Sequence, residues 1–242
     1  MAALDQFTTT RWTLVLAAKK REHGGADAFA RLCERYYQPL YGYLRRRGET
    51  PEDAQDLTQG FISRLIEKDV LRHVDPARGK FRAFLLTSLK HYVANEHVRA
   101  IANKRGGAQS VLSIDVEAAE DRYRNEPRDD LTPERLYDRG CALAVLERAL
   151  AALRADCRAS GREALLDAVH GTLTGDADVA PYRQIADRFG MSEAAVKVTV
   201  HRLRIRYREL VRAEVAETVG SDAEIDDELR YMLTALGGTR HG

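Results

Sequence analysis

The stretch from Pro181 to Arg212, PYRQIADRFGMSEAAVKVTVHRLRIRYRELVR, holds the chain's clearest set of groups suited to a nucleic acid. Lys197, Arg202 and Arg206 could neutralise phosphates, while Ala194, Val198, His201 and Ile205 between them could meet base edges and thymine methyls. Helical period puts them together. Val196, Val200, Leu203, Tyr207 and Leu210 recur at spacings of four, three, four and three, which makes one buried stripe and leaves the other group on the free face. Ahead of it, Tyr182, Ile185, Ala186 and Phe189 mark a short helix, Gly190 can take the positive φ that ends it, and Ser192 is an N-cap for the next. The pattern is a helix-turn-helix with a long basic second helix. A solvated basic helix is the plainer alternative, and the turn and cap favour DNA.

A second set lies in the N-terminal half. The stretch Asp75 to Arg82, DPARGKFR, breaks helical period and puts Arg78, Lys80 and Arg82 beside Phe81 and Phe84. A cationic loop with exposed aromatics suits unstacked bases; the competing reading makes both phenylalanines core residues. In the helix that follows, over about residues 83–103, Leu86, Leu89, Val93 and Ala100 form the inner stripe. Ser88, His91, Asn95 and Arg99 share another face. An earlier helix is capped by Thr50 with Pro51 at its first position, and its core residues are Ala54, Leu57, Phe61 and Leu65. Asp53, Asp56, Gly60 and Ser63, with Gln59 beside them, form an acidic strip on its outer side. Ordinary capping and solubility would also explain that strip.

The elements that must carry these groups are all helical. From Asp27, the residues Phe29, Leu32, Cys33, Tyr36, Leu40, Tyr43 and Leu44 keep helical spacing up to Arg45–Arg47 and Gly48. Thr8–Thr10 could cap a short helix carrying Trp12. A long helix over about 133–159 carries Leu143, Leu146, Leu150 and Leu153, and another after Gly161 carries Leu165, Leu166, Val169 and Leu173. The expected architecture is all-α, with two helical domains: residues 1–105, then an acidic linker over 106–132 with room for one short helix, then 133–218 containing the helix-turn-helix. An acidic tail follows over 219–242, where Ile225, Leu229, Met232 and Leu236 mark an amphipathic helix expected to dock on its own domain.

Charge follows the same division. Lys and Arg minus Asp and Glu gives 19 − 12 = +7 for residues 1–110, 4 − 9 = −5 for 111–138, 8 − 5 = +3 for 181–218 and 2 − 5 = −3 for 219–242. Two basic modules are thus separated by a segment that DNA would repel. No segment approaches the ~20 apolar residues of a membrane span, and no export signal opens the chain, so a cytoplasmic location is expected. Cys33, Cys141 and Cys157 are read as reduced structural thiols. No phosphate-binding loop, dinucleotide glycine pattern, nucleophile elbow or metal-ligand spacing occurs, so neither a catalytic residue nor a cofactor is expected.

The order of these parts resembles the bacterial sigma factors of the extracytoplasmic-function group within the sigma-70 family, over about residues 27–104 and 139–212. DAQDLTQGF, Asp53 to Phe61, is similar to the family's helix that docks on the β′ coiled coil of core RNA polymerase, which implies that contact for Asp53, Asp56 and Gln59. RGKFRAFLLTSLKHYVANEHVR resembles the segment that melts and reads the −10 element. That implies roles for Arg78, Lys80, Phe81, Arg82, Phe84, Ser88, His91 and Asn95. SEAAVKVTVHRLRIRYREL resembles the helix that reads the −35 element, implying base and phosphate contacts by Lys197, Thr199, His201 and Arg202, with Arg204 and Arg206 in support. Gly60 stands where the family usually has an acidic residue, Phe84 where a Trp is common, and Val198 and Thr199 replace a polar and basic pair. The resemblance implies a promoter-directing initiation factor that performs no covalent chemistry, with core RNA polymerase and promoter DNA as partners. An anti-sigma factor, or self-inhibition by the acidic tail, would control it. A free-standing helix-turn-helix regulator that never joins polymerase, and a helical adaptor for acidic proteins, are the alternatives.

Overall fold

In the computed structural model, residues 25–67, 80–102, 116–125, 131–174, 181–219 and 221–237 are described, and every regular element among them is an α-helix. In order these are α1 (Gly25–Arg46), α2 (Pro51–Glu67), α3 (Phe81–Ala102), α4 (Val116–Asn125), α5 (Pro133–Ala159), α6 (Glu163–Thr174), α7 (Tyr182–Phe189), α8 (Glu193–Ala216) and α9 (Asp222–Gly237). Arg78 and the Thr8–Thr10 segment lie outside the described residues. The expected all-α class holds. The compact units, however, do not follow the boundaries expected from composition: residues 1–144 group with 215–242, and residues 145–214 form the second unit, so the divisions fall inside α5 and α8.

The first unit is built on α1, an aromatic-rich helix whose Leu32, Tyr37, Leu40, Tyr41, Tyr43 and Leu44 are almost wholly buried. Against it pack Ala54, Phe61, Ile62 and Leu65 of α2 and Phe81, Leu85, Leu89 and Val93 of α3. The α3 stripe runs at intervals of four through Leu85, so Leu86, expected inside, is only half-buried. Thr50 caps α2 reciprocally. Its Oγ1 accepts from the Asp53 N–H at 3.1 Å while its hydroxyl donates to Asp53 Oδ2 at 2.8 Å.

The acidic segment expected to link two domains contributes a packed helix. On α4, Ala119 enters the core and Glu120 is buried against the C-terminal turns of α1. Arg45 holds Glu120 bidentately at 2.9 and 3.0 Å, Tyr41 donates its hydroxyl at 2.5 Å, and Gln38 Nε2 donates to the Ala119 carbonyl at 3.0 Å. Tyr137 and Cys141, at the start of α5, complete the same core, and the Tyr137 hydroxyl donates to the Arg82 carbonyl at 3.0 Å.

The tail also belongs to this unit rather than to the helix-turn-helix. Val215, Val219, Ile225 and Met232 are buried, and Glu217 pairs with Arg31 at 3.1 Å and with the buried Arg35. In the second unit, Leu153 and Cys157 of α5 meet Leu165, Leu166 and Val169 of α6, Ile185 and Ala186 of α7, and Val196, Val200 and Leu203 of α8. Leu143, expected inside, is exposed on α5. All three cysteines are free and buried, as a reduced structural role requires.

The hydrogen bonds from Arg45 hold the Glu120 carboxyl below the usual carboxylate range, against the opposing effect of burial. Glu120→Gln should lower stability by about 1–2 kcal/mol at neutral pH. Since the folded carboxyl titrates below the unfolded one, that contribution is complete above the unfolded value and is lost as pH falls through the folded value. Urea denaturation curves of wild type and variant should therefore converge in acid.

Candidate nucleic-acid and polymerase interfaces

The turn between α7 and α8 sets the geometry of the basic helix. Gly190 takes φ 62°, ψ 33°, and two N–H groups return to the end of α7, Gly190 to the Asp187 carbonyl at 3.5 Å and Met191 to the Ala186 carbonyl at 2.9 Å. Ser192 Oγ then accepts from the Ala195 N–H at 3.2 Å, capping α8 as its sequence position implies. With Val196, Val200 and Leu203 buried, the opposite face of α8 is open. Val198 is 49% exposed and Ile205 42% exposed, and Ala194, Lys197, His201, Arg202 and Arg206 share that exposure.

The charged members of this face are not equivalent. His201 and Arg202 are exposed and make no ion pair among the described residues. Lys197 pairs with Glu193 one turn earlier at 2.8 Å, an exposed pair that costs little to open. Arg206 is held by Asp156 of α5 at 2.8 Å and approaches Glu209 at 3.4 Å. Arg204 donates to the Thr172 carbonyl at 2.8 Å, so it closes the last turn of α6. Thr199 is half-buried and turns its hydroxyl back to the Ala195 carbonyl at 2.9 Å. The face available to a base edge is therefore Val198, His201, Arg202 and Ile205, with Lys197 at its rim. Arg183 and Arg188 are exposed on α7, where a helix-turn-helix crosses the DNA backbone, and Arg208 is exposed on α8. Sequence reasoning passed over these three because it weighed the centre and flanks of one face of the second helix; cations on the outer side of the first helix were the available signal.

In the first unit, the acidic strip of α2 exposes Asp53 and Asp56, but Gln59 is only 8% exposed and is a buried residue of the bundle. Gly60 has a steric reason. A Cβ there would overlap the hydroxyl of Tyr92, whose ring packs on Phe61 with centroids 5.8 Å apart, so a side chain at this position would have to displace the end of the Tyr92 side chain.

The cationic loop differs most from expectation. Phe81 begins α3 and is 2% exposed, with its ring against Tyr36 at 5.5 Å and Phe84 at 6.0 Å. It is a core residue and offers no platform to a base; Phe84 is half-buried against the same core. Lys80 and Arg82 are both engaged by Glu228 of α9, and Arg82 by Asp138 of α5 as well. Farther along α3, His91, Asn95 and Arg99 are exposed on one face beside Val98, which is 67% exposed, and Ser88 is half-buried. Among the described residues no group of His, Cys, Asp and Glu could hold a metal ion, and no helix is long and apolar enough to cross a membrane.

Comparison with known proteins places these surfaces in a context. Residues 32–102, which cover most of α1 and all of α2 and α3, match the family described as sigma-70 region 2. The chain is similar to the protein named ECF RNA polymerase sigma factor SigE from Mycolicibacterium smegmatis (strain ATCC 700084 / mc(2)155). Identity is 24% over 230 residues, covering 91% of this chain and 79% of that protein. No solved structure matches the chain.

On α8, two substitutions separate an arginine of the open face from one bonded to a neighbouring helix. Arg202→Ala should weaken duplex binding and flatten the log–log salt dependence by about 0.9 for each phosphate no longer neutralised. Arg204→Ala should mainly lower the thermal unfolding midpoint of the second unit. Fluorescence anisotropy over a salt series, with circular dichroism melts, reads both. Phe81→Ala should cost about 3–5 kcal/mol of unfolding free energy, as for other buried phenylalanines; a base-stacking role alone would leave stability untouched.

Proposed function

We infer that this chain, a member of the extracytoplasmic-function group of the sigma-70 family, is a transcription initiation factor that joins core RNA polymerase and directs it to promoters. The observation that carries the reading is the match of region 2 to residues 32–102, the segment that folds as α1–α3 and leaves Asp53 and Asp56 open on α2. Asp53 and Asp56 would meet the β′ coiled coil of polymerase. Since Gln59 is buried, that contact rests on the two carboxylates.

DNA would be engaged at two places. The open face of α8, with Lys197, His201 and Arg202, suits the major groove of an upstream −35 element, and Arg183 and Arg188 of α7 suit the phosphates beside it. Lys80 and Arg82 at the start of α3, with His91, Asn95 and Arg99 along its exposed face, suit a −10 element. Strand opening would be driven by capture of unstacked bases and their phosphates on that surface, with no covalent step by the protein itself. An anti-sigma factor is a further partner that the family resemblance implies.

Binding to core RNA polymerase tests the proposal directly. Wild type should compete with a known sigma factor for bacterial core enzyme, and Asp53→Ala/Asp56→Ala should lose that competition by at least about tenfold, which corresponds to ~1.4 kcal/mol. Failure of the wild type to bind core enzyme from its own host would instead leave a helix-turn-helix regulator that acts on intact duplex alone.

A further inference from the structure

The strongest cations of the region 2 surface are already occupied. Glu228, buried on α9, sits between Lys80 and Arg82: its Oε1 accepts from Arg82 Nε at 2.7 Å, and Lys80 Nζ pairs with its Oε2. A terminal nitrogen of the Arg82 guanidinium pairs with Asp138 Oδ1. The Tyr231 ring covers the guanidinium with its centroid 4.0 Å from Arg82 Cζ and lies 5.3 Å from Lys80 Nζ. Tyr231 also donates its hydroxyl to Asp138 Oδ2 at 2.5 Å, which fixes the ring in place. The planar fork of Arg82, whose geometry matches a phosphate as well as a carboxylate, thus has its Nε and one terminal nitrogen engaged by carboxylates, and the side chain is 13% exposed.

We propose that α9 is a built-in competitor for DNA, in which the Glu228 carboxylate takes the place of a backbone phosphate on Lys80 and Arg82, so that the start of α3 accepts a single strand only after the tail helix has left. The inference rests on the DNA-binding reading of that segment. Three observations support competition over a purely architectural role. Within α9 the charge is 1 − 5 = −4, so the helix is anionic as a whole, and Glu228 is the acidic residue it buries against the cations while Asp222, Asp226 and Asp227 stay exposed. Its apolar grip is one narrow stripe, with Ile225 and Met232 buried, Leu229 and Leu236 half-buried and Leu233 69% exposed. The group that replaces Glu228 on release carries the same sign, so the half-buried Lys80 and Arg82 would exchange one anion for another instead of being left unpaired. Glu217, clamped on Arg31 and Arg35, holds the base of the tail on α1 and keeps α9 near its site when it opens.

The test measures binding of a short fluorescein-labelled single-stranded DNA of mixed sequence by anisotropy over a salt series. Full-length protein is compared with Glu228→Gln and with a chain ending at Val219. Both variants should bind the strand at least about tenfold more tightly than wild type. Freeing two cations for phosphates should also steepen the log–log salt slope by about 1.4, at about 0.7 for each phosphate neutralised. Adding Arg82→Ala to Glu228→Gln should abolish the gain, and a synthetic peptide of residues 221–237 should return the truncated chain toward wild-type affinity. If truncation unfolds the first unit, seen as a lost cooperative melt, Glu228→Gln alone decides. A folded Glu228→Gln protein with wild-type affinity and slope overturns the proposal. Core polymerase binding, followed in parallel, separates the two readings. Retained core binding without a gain in DNA affinity removes only the role of the tail, whereas failure of wild type to bind core enzyme removes the initiation-factor reading.

Discussion

An arginine drawn into a helical core cannot shed its charge, because its pKa lies too far above neutrality, and it must therefore meet a carboxylate with matching geometry. The first unit is assembled around that requirement. Arg45 on α1 takes Glu120 from α4, Arg35 on α1 takes Glu217 from just beyond α8, and Arg82 on α3 takes Asp138 from α5 together with Glu228 from α9. Glu120, Asp138 and Glu228 come from acidic stretches distant in sequence, and Glu217 from the end of the second basic block. The alternation of basic and acidic blocks along the chain, which composition suggests is a separation of modules from a repelled linker, is in the folded unit a set of pairings that closes the N-terminal bundle.

The two basic surfaces consequently stand in different states. On α8 the cations on the open face are free or held by exposed pairs that water already screens, so they can be given up to phosphate at little cost. At the start of α3 the cations are largely withdrawn from solvent and saturated by a buried carboxylate, a second carboxylate and an aromatic face. A surface of the first kind is open to an anionic partner as it stands; one of the second kind would first have to part from its own carboxylates. The buried Phe81 belongs to the same arrangement, since it fixes the first turn of α3 to α1 and holds Lys80 and Arg82 where α9 meets them.

Helical period, caps and turn chemistry carried most of the element boundaries. Thr50, Thr132 and Ser192 cap the helices they precede, and Gly190 takes the left-handed conformation that the turn needs. These features act within a few residues, so their signal is local. The open face of α8 was legible for the same reason, because a stripe of Val196, Val200 and Leu203 leaves only one other side. Errors arose where a second element decides which side is inside. Phe81 is covered by α1, Gln59 is enclosed by the bundle, and Leu143 lies on a face of α5 that leaves it 36% exposed.

What the sequence determined by itself was the helical class, the turn between α7 and α8, an open basic face on α8 and a resemblance to one family, because periodicity, capping and motif spacing all act along the chain. Tertiary structure alone decided that α4 and α9 belong to the N-terminal unit, that Gly60 makes room for Tyr92, and that Glu228 seals Lys80 and Arg82. Those outcomes depend on distant partners, 146 positions apart for Arg82 and Glu228, and no local pattern specifies which of several acidic residues on an amphipathic helix will meet a given arginine.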